Sequence, residues 1–319
     1  MNNLKKIGLT ALAGSLVATA SFGAELSVSG GAALYFDQPD NVATKGNSFY
    51  MGDSVTFSGS GEMDNGMTIS VSYELDQGAA DGTNGTFDSH SMTLDTGSAG
   101  TITFAGHGGS TVLSSMDDVT PNAYEESWDI VTGADTSVIN GVSGNNSFLY
   151  KSPVAQGAQF MIAYINASDA VTDVSYSDYG FTFAPESIDG LSLGYATGDD
   201  ESTKGTVLAE KTMYAKYVYG AATLGYQKSQ SDSSAANSDK DTVSVGVTYA
   251  VSDDLSVGYN MNTVDFESAS SVDQESTGFS ISYTMGSISL SGAMNKVDNI
   301  AGVETTDREG YEFGLAFAF

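Results

Sequence analysis

Bulky apolar residues alternate with small or polar ones along most of this chain. In "MTISVSYELD", Met67, Ile69, Val71, Tyr73 and Leu75 alternate with Thr68, Ser70, Ser72, Glu74 and Asp76. "DTVSVGVTYAV" sets Val243, Val245, Val247, Tyr249 and Val251 against Ser244, Gly246, Thr248 and Ala250. The last residues, "YEFGLAFAF", put Tyr311, Phe313, Leu315, Phe317 and Phe319 on one parity and Glu312, Gly314, Ala316 and Ala318 on the other. Period two is the mark of a β-strand with one apolar face. No segment shows helical spacing of comparable strength. Sixteen such strands are expected, beginning near residues 26, 47, 67, 89, 101, 147, 158, 176, 191, 209, 221, 242, 254, 277, 287 and 310. Each has room for roughly ten residues, the length that crosses a bilayer at a tilt.

The connections alternate as well. Short turns such as "EMDNG" (62–66), "GSAG" (97–100) and "VSDD" (251–254) take turns with longer polar stretches such as 77–88, 198–206, 229–241 and 297–309. That rhythm predicts an antiparallel up-and-down β-barrel with unlike ends. Sixteen strands enclose a space too wide for side chains to fill. The apolar face is therefore expected to meet lipid, and the Ser/Thr/Gly/Ala face to meet water. Closure satisfies every backbone group in the bilayer, so the last strand should pair with the one that begins near Leu26. Asp53 interrupts the scheme, because it shares the outward parity of Met51 and Val55. A bulge or a subunit contact would accommodate it.

Composition narrows the class further. The chain of 319 residues has 40 acidic side chains against 11 Lys and Arg, a formal net charge of −29, and no cysteine. Such a balance opposes nucleic-acid binding, which depends on Lys and Arg, and favours cations as partners. No second stretch after the start of the chain approaches the length of a membrane-spanning helix. Residues 1–23 read as a cleaved secretory leader: Lys5 and Lys6, then the apolar "IGLTALAGSLVATA", then small residues. Cleavage fits after Ala20 or after Gly23, with Gly23 preferred. Residues 24–319 are then one barrel domain. The connection from Ser110 to Asn146 stands apart by its length and holds the only tryptophan, Trp128. Its Met116, Tyr124, Ile130 and Val131 are too apolar for a disordered segment.

The stretches "AELSVSGGAALYF" (24–36), "SVTFSGSGEMDNGMTISVSYELD" (54–76), "GSAGTITFAGHG" (97–108) and the terminal "YEFGLAFAF" resemble the general-diffusion porins of Gram-negative outer membranes, nearest the α-proteobacterial branch. The resemblance, taken with the strand rhythm, covers essentially the whole of 24–319. It implies a sixteen-stranded transmembrane barrel, a homotrimer, and a third long loop, about 110–146, folded inward as the constriction. It also implies that Tyr311, Phe313, Leu315, Phe317 and Phe319 form the signal read by the outer-membrane assembly machinery. The loop would present carboxylates to the pore, here Asp117, Asp118, Glu125, Glu126, Asp129 and Asp135. The enteric "PEFGG" loop signature is absent, and the opposing basic cluster is thin. Parity places Lys216 and Tyr214, Lys151, His107 and Glu74 on the pore wall. Lys211, Lys228 and Lys296 fall on the outward parity, and Arg308 in the last loop.

Other chemistry is poorly represented. "GDSV" (52–55) offers Ser54 as a nucleophile, but His90 and His107 both precede residue 108 and no base follows later in the chain. No zinc helix, phosphate-binding loop or dinucleotide fingerprint occurs, so no enzyme and no cofactor are expected. Acidic groups such as Asp199, Asp200 and Glu201 could hold Ca2+ or Mg2+ loosely. The expected function is passive diffusion of small hydrophilic solutes and ions across the outer membrane, with weak cation selectivity. The competing readings are a substrate-specific channel of the same fold and a non-conducting structural or adhesive protein.

Overall fold

Among the described residues, each strand of the barrel pairs antiparallel with the next, and the last pairs with the first, so the sheet closes on itself. The computed structural model describes residues 18–19, 25–39, 48–76, 87–135, 139, 145–166, 174–201, 207–268 and 270–319. Among these, sixteen strands close the barrel. The first eight are β1 (Glu25–Pro39), β2 (Ser48–Glu62), β3 (Thr68–Asp76), β4 (Ser89–Asp95), β5 (Thr101–His107), β6 (Ser147–Lys151), β7 (Ala158–Ile165) and β8 (Tyr176–Phe183). The second eight are β9 (Leu191–Asp200), β10 (Leu208–Tyr219), β11 (Ala222–Ser233), β12 (Lys240–Ala250), β13 (Leu255–Phe266), β14 (Gln274–Met285), β15 (Ile288–Asp298) and β16 (Arg308–Ala318). No helix among the described residues is long and apolar enough to cross a membrane.

The seam between β16 and β1 runs in register from Gly310 opposite Pro39 to Ala318 opposite Gly31. It ends with Gly30 and Phe319 exchanging both backbone hydrogen bonds, at 3.0 and 2.9 Å. The terminal alternation is thus the closing strand. Phe313, Leu315 and Phe317 stand outward and are 56%, 47% and 48% exposed, whereas Glu312, just before them, points inward and is buried.

The expected leader, residues 1–23, lies outside the described residues except for Ala18–Thr19, whose backbone pairs with Leu26 and Glu25. Also outside them are most of the 77–88 and 202–206 connections and, within the expected constriction loop, residues 136–138 and 140–144.

Most strand starts fall within two residues of the expected positions. The exception is β14, which begins at Gln274 rather than near 277. Its first residues are polar on both faces, and backbone pairing with Val264, Thr263 and Asn262 extends the strand beyond the apolar alternation. Arg308 is likewise not in the last loop but opens β16, where backbone pairing with Val297 captures it. Pairing of β2 with β1 runs through Asp53 without a register shift, so no bulge relieves it. Asp53 remains on the outward parity opposite Ala32.

Candidate functional site

The apolar residues of the long connection form their own small core. Val112, Leu113, Met116 and Ile139 pack on Met161 and Ala163 of β7, Ala196 of β9 and Val264 of β13, with Tyr214 and Phe266 alongside. Leu113 and Ile139 are completely buried, and each such aliphatic side chain contributes about 1.5–3 kcal/mol. Trp128 is buried as well.

Polar bonds then fasten the connection to six strands in turn. The backbone N–H groups of Val112 and Leu113 donate to the two oxygens of the buried Asp178 on β8, at 3.1 and 2.8 Å. Gln227 on β11 accepts from Val119 N at 3.0 Å and donates to the carbonyls of Met116 and Asp117 at 2.6 and 3.0 Å. Ala123 N donates to Ser280 Oγ on β14 at 3.0 Å. Asn295 on β15 donates to the Glu126 carbonyl at 2.6 Å. The Tyr124 hydroxyl donates to Glu312 on β16, and Arg308 to the carbonyl of Thr132. Asp135 is held from two sides. Its backbone exchanges bonds with the Gln274 amide at 2.8 Å each way, and its carboxylate meets Lys240 of β12 at 2.5 Å.

Three inward glycines make room for this. A Cβ on Gly225 would lie 2.2 Å from Pro121 Cδ, one on Gly246 2.4 Å from Pro121 O, and one on Gly258 2.7 Å from Ala123 N. Glycine is the residue that permits such a close backbone approach. The coverage is one-sided. Inward residues of β11, β13 and β14, among them Gln227, Asn260, Asn262 and Ser276, are buried, whereas the inward residues of β3 keep partial exposure throughout.

The acids expected at a constriction fall into two groups. Asp135 serves as an anchor. Asp117, Asp118, Glu125, Glu126 and Asp129 gather on the segment between the anchors. Asp129 Oδ2 accepts from Glu126 N at 3.0 Å, and Glu126 Oε1 accepts from Asn122 Nδ2 at 2.5 Å. Crowding by protein raises the Asp118 carboxyl to about 6, helped by the neighbouring charges of Asp117 and Asp129. Asp117 is raised by burial too, against two backbone hydrogen bonds that lower it. Glu125 and Glu126 are pushed up further, by burial first and then by Asp129, with Glu312 adding to Glu125 and Asp118 to Glu126. Burial and the bond to Glu312 likewise raise the Tyr124 hydroxyl. One oxygen each from Glu125, Glu126 and Asp129 lie within 4.8 Å of one another, a spacing at which hard cations are held by carboxylates.

The wall residues lie elsewhere. Lys216 on β10 sits 5.7 Å from the centroid of the Tyr214 ring, and Tyr214 in turn packs against the loop core. His107 Nδ1 is 2.5 Å from the Asp88 carbonyl, and Glu74 accepts from Ser89 Oγ at 2.9 Å. Lys151 lines a cavity with His107 rather than facing the loop acids. On the outward parity Lys211, Lys228 and Lys296 pair with Asp232, Asp241 and Asp298 at 3.5, 3.5 and 2.7 Å.

Sequence reasoning missed the anchors Asp178, Gln227, Gln274, Asn295 and Glu312. Their signal was present: each is a long or charged polar residue on an inward face otherwise built of Ser, Thr, Gly and Ala.

Comparison with known proteins agrees with the barrel fold. No curated protein matches the sequence. Among solved structures, the anion-selective porin from Comamonas acidovorans superposes with a TM-score of 0.70 at 15% identity, covering 93% of this chain and 100% of that one. Salmonella typhi OmpF, solved with daunomycin, gives 0.70 at 13% identity over 94% and 99%. The in-vitro folded trimer form of Vibrio cholerae OmpT gives 0.68 at 13% identity over 93% and 100%. At these identities the likeness is one of fold. The sequence profile of Gram-negative porins, however, matches residues 8–284 directly. With its closed sixteen-stranded barrel and most of its length matched, the chain belongs to the Gram-negative porin family.

Proposed function

We propose that the protein is a trimeric outer-membrane channel for passive diffusion of small hydrophilic solutes, narrowed by the 110–146 loop and weakly cation-selective. The observation that carries the narrowing is the series of bonds from Val112 to Asp135 onto inward-facing side chains of β8, β11, β12, β14, β15 and β16. Solute passes on the side that this segment leaves uncovered, along β1–β3. Cation preference follows from Asp117, Asp118, Glu125, Glu126 and Asp129, because carboxylates lining a narrow, low-dielectric passage concentrate counter-ions. Ca2+ or Mg2+ lodges loosely between Glu125, Glu126 and Asp129 in competition with protons. Export uses the 1–23 leader, and Tyr311, Phe313, Leu315, Phe317 and Phe319 direct insertion by the assembly machinery. The transport involves no covalent chemistry. The Vibrio cholerae relative solved in a trimer form supports the assembly state.

Single-channel conductance in a planar bilayer, with the reversal potential read under a salt gradient, tests this reading. Steps in triplets and a cation-favouring potential are expected. An anion-favouring potential would overturn the selectivity, and no conductance from folded, inserted protein would overturn the channel.

A further inference from the structure

The outward face of the barrel carries a groove that crosses the β16–β1 seam. It is a hollow of about 530 Å3 spread over β13, β14, β15, β16 and β1. Strand register explains its two levels. Tyr259, Phe279, Met294, Tyr311 and Gln38 stand opposite one another in a single row. Thr277, Lys296 and Glu309 form the next row, two residues nearer the long connections 267–273 and 299–307. Two residues of strand place the rows roughly 7 Å apart. Both rows share the outward parity of Phe313 and Leu315.

The two levels differ in kind. Phe279 and Met294 are 50% and 64% exposed and offer water no polar partner. An empty hollow beside them would forfeit van der Waals contact, so hydrocarbon is what fills it. Tyr259 and Tyr311 flank this level, and tyrosine marks the depth at which headgroups begin. The upper row sets a base beside an acid. Lys296 meets Asp298 at 2.7 Å, and its neighbour on β16 is Glu309. Glu275 stands opposite Asp298 one step further out. One ammonium among three carboxylates leaves an excess of acid, which repels a headgroup of negative charge alone. A headgroup with both a phosphate and an ammonium meets both signs: Lys296 takes the phosphate and Glu309 the ammonium.

We propose that the groove seats one zwitterionic phospholipid of the phosphoethanolamine type. An acyl chain lies along Phe279 and Met294, and the headgroup lies between Lys296 and Glu309. Held there, the lipid spans the closing seam from β14 to β1. The proposal requires a barrel that faces lipid and not one that conducts.

Native mass spectrometry of the folded, detergent-solubilised protein, titrated with phosphatidylethanolamine or with phosphatidylglycerol of the same chains, counts the lipids retained. One tightly held phosphatidylethanolamine per chain is expected, bound about tenfold more strongly than phosphatidylglycerol. K296Q should weaken it about tenfold, and E309Q should abolish the preference between the two headgroups. K211Q, which alters an outward lysine on β10 paired with Asp232, should bind as the wild type does. Heat-modifiable gel mobility reports that each variant is folded. No retained lipid, equal retention of the two lipids by the wild type, or equal binding by all four proteins overturns the site. A preference for phosphatidylglycerol would put an anionic lipid there and overturn the headgroup assignment. Loss of the oligomer on unboiled gels in K296Q or E309Q would put a second copy of the chain in the groove in place of lipid.

Discussion

Tyr124 of the long loop donates its hydroxyl to Glu312 of the closing strand, 188 residues away in the chain. Tyr50 of β2 donates to the other oxygen of the same carboxylate at 2.8 Å. One side chain thus ties together the loop, β16 and a strand on the far side of the β16–β1 seam. Removing the Tyr124 hydroxyl takes away a hydrogen bond to a charged group, about 1.5–3 kcal/mol. Tyr124→Phe should leave the barrel assembled and raise open-channel current noise as the loop loosens. Noise equal to that of the wild type would show that this bond does not hold the loop.

Selectivity should depend on pH, with a defined sign. Asp118 is raised to about 6, and Glu125 and Glu126 are raised further, so below these values the acids are neutral. Raising the pH from about 5 to 9 ionises them and should increase cation preference, read as a reversal potential at each pH. The same shifts bear on loop stability. A carboxyl raised by folding contributes stability that is fully present below its unfolded value and is lost as the pH climbs through the folded one. Loop seating should therefore weaken toward alkaline pH, which limited proteolysis of the loop would register. Asp118→Asn should flatten the acid end of the selectivity curve. A preference constant across the range would remove these acids from the ion path.

The glycines beneath Pro121 offer a steric test. In Gly246→Val the new Cβ would begin 2.4 Å from the Pro121 carbonyl oxygen, and overpacking of this kind costs about 1–3 kcal/mol. The strand itself accepts valine readily, since Val245 and Val247 flank the site. The loop, not the sheet, should yield. Liposome-swelling rates for larger sugars should rise in the variant while its heat-modifiable gel mobility stays normal. Unchanged swelling rates would mean that the loop finds another seat.

Asp53 sets up a choice between lipid and protein. It faces outward opposite Ala32 with no bulge to turn it. An acid on a lipid-facing strand position is destabilising, by up to about 2 kcal/mol away from the interfaces. Asp53→Leu should raise the urea midpoint of the barrel in vesicles. A lowered midpoint, or loss of the oligomer on unboiled gels, would place a polar partner for Asp53 on a neighbouring subunit.

The strands were legible because period two is local: Tyr311 to Phe319 announce an apolar face without reference to any other part of the chain. The start of β14 at Gln274 was not, because backbone pairing to β13 defines it and no alternation marks it. The partners of the anchors were illegible for a related reason. Asp178 meets Val112 across 66 residues and Asn295 meets Glu126 across 169, and a single sequence does not disclose such pairs. The acids of the loop could be named from composition, but their division was hidden. Asp135 differs from Asp129 only in what the fold sets beside it, Lys240 and Gln274 in one case and Glu126 in the other.

The seam between β16 and β1 also imposes an order in time. Every other strand pair joins neighbours in the chain and can zip as soon as both are delivered. The bonds between Gly30 and Phe319 wait until β16 is in place. Until then β1 and the newest strand are open edges, able to pair with any other chain, and long-range pairing of this kind is slow to form. Pairing of β16 with β1 removes both edges at once, so the strand that closes the seam is also the one that ends their exposure.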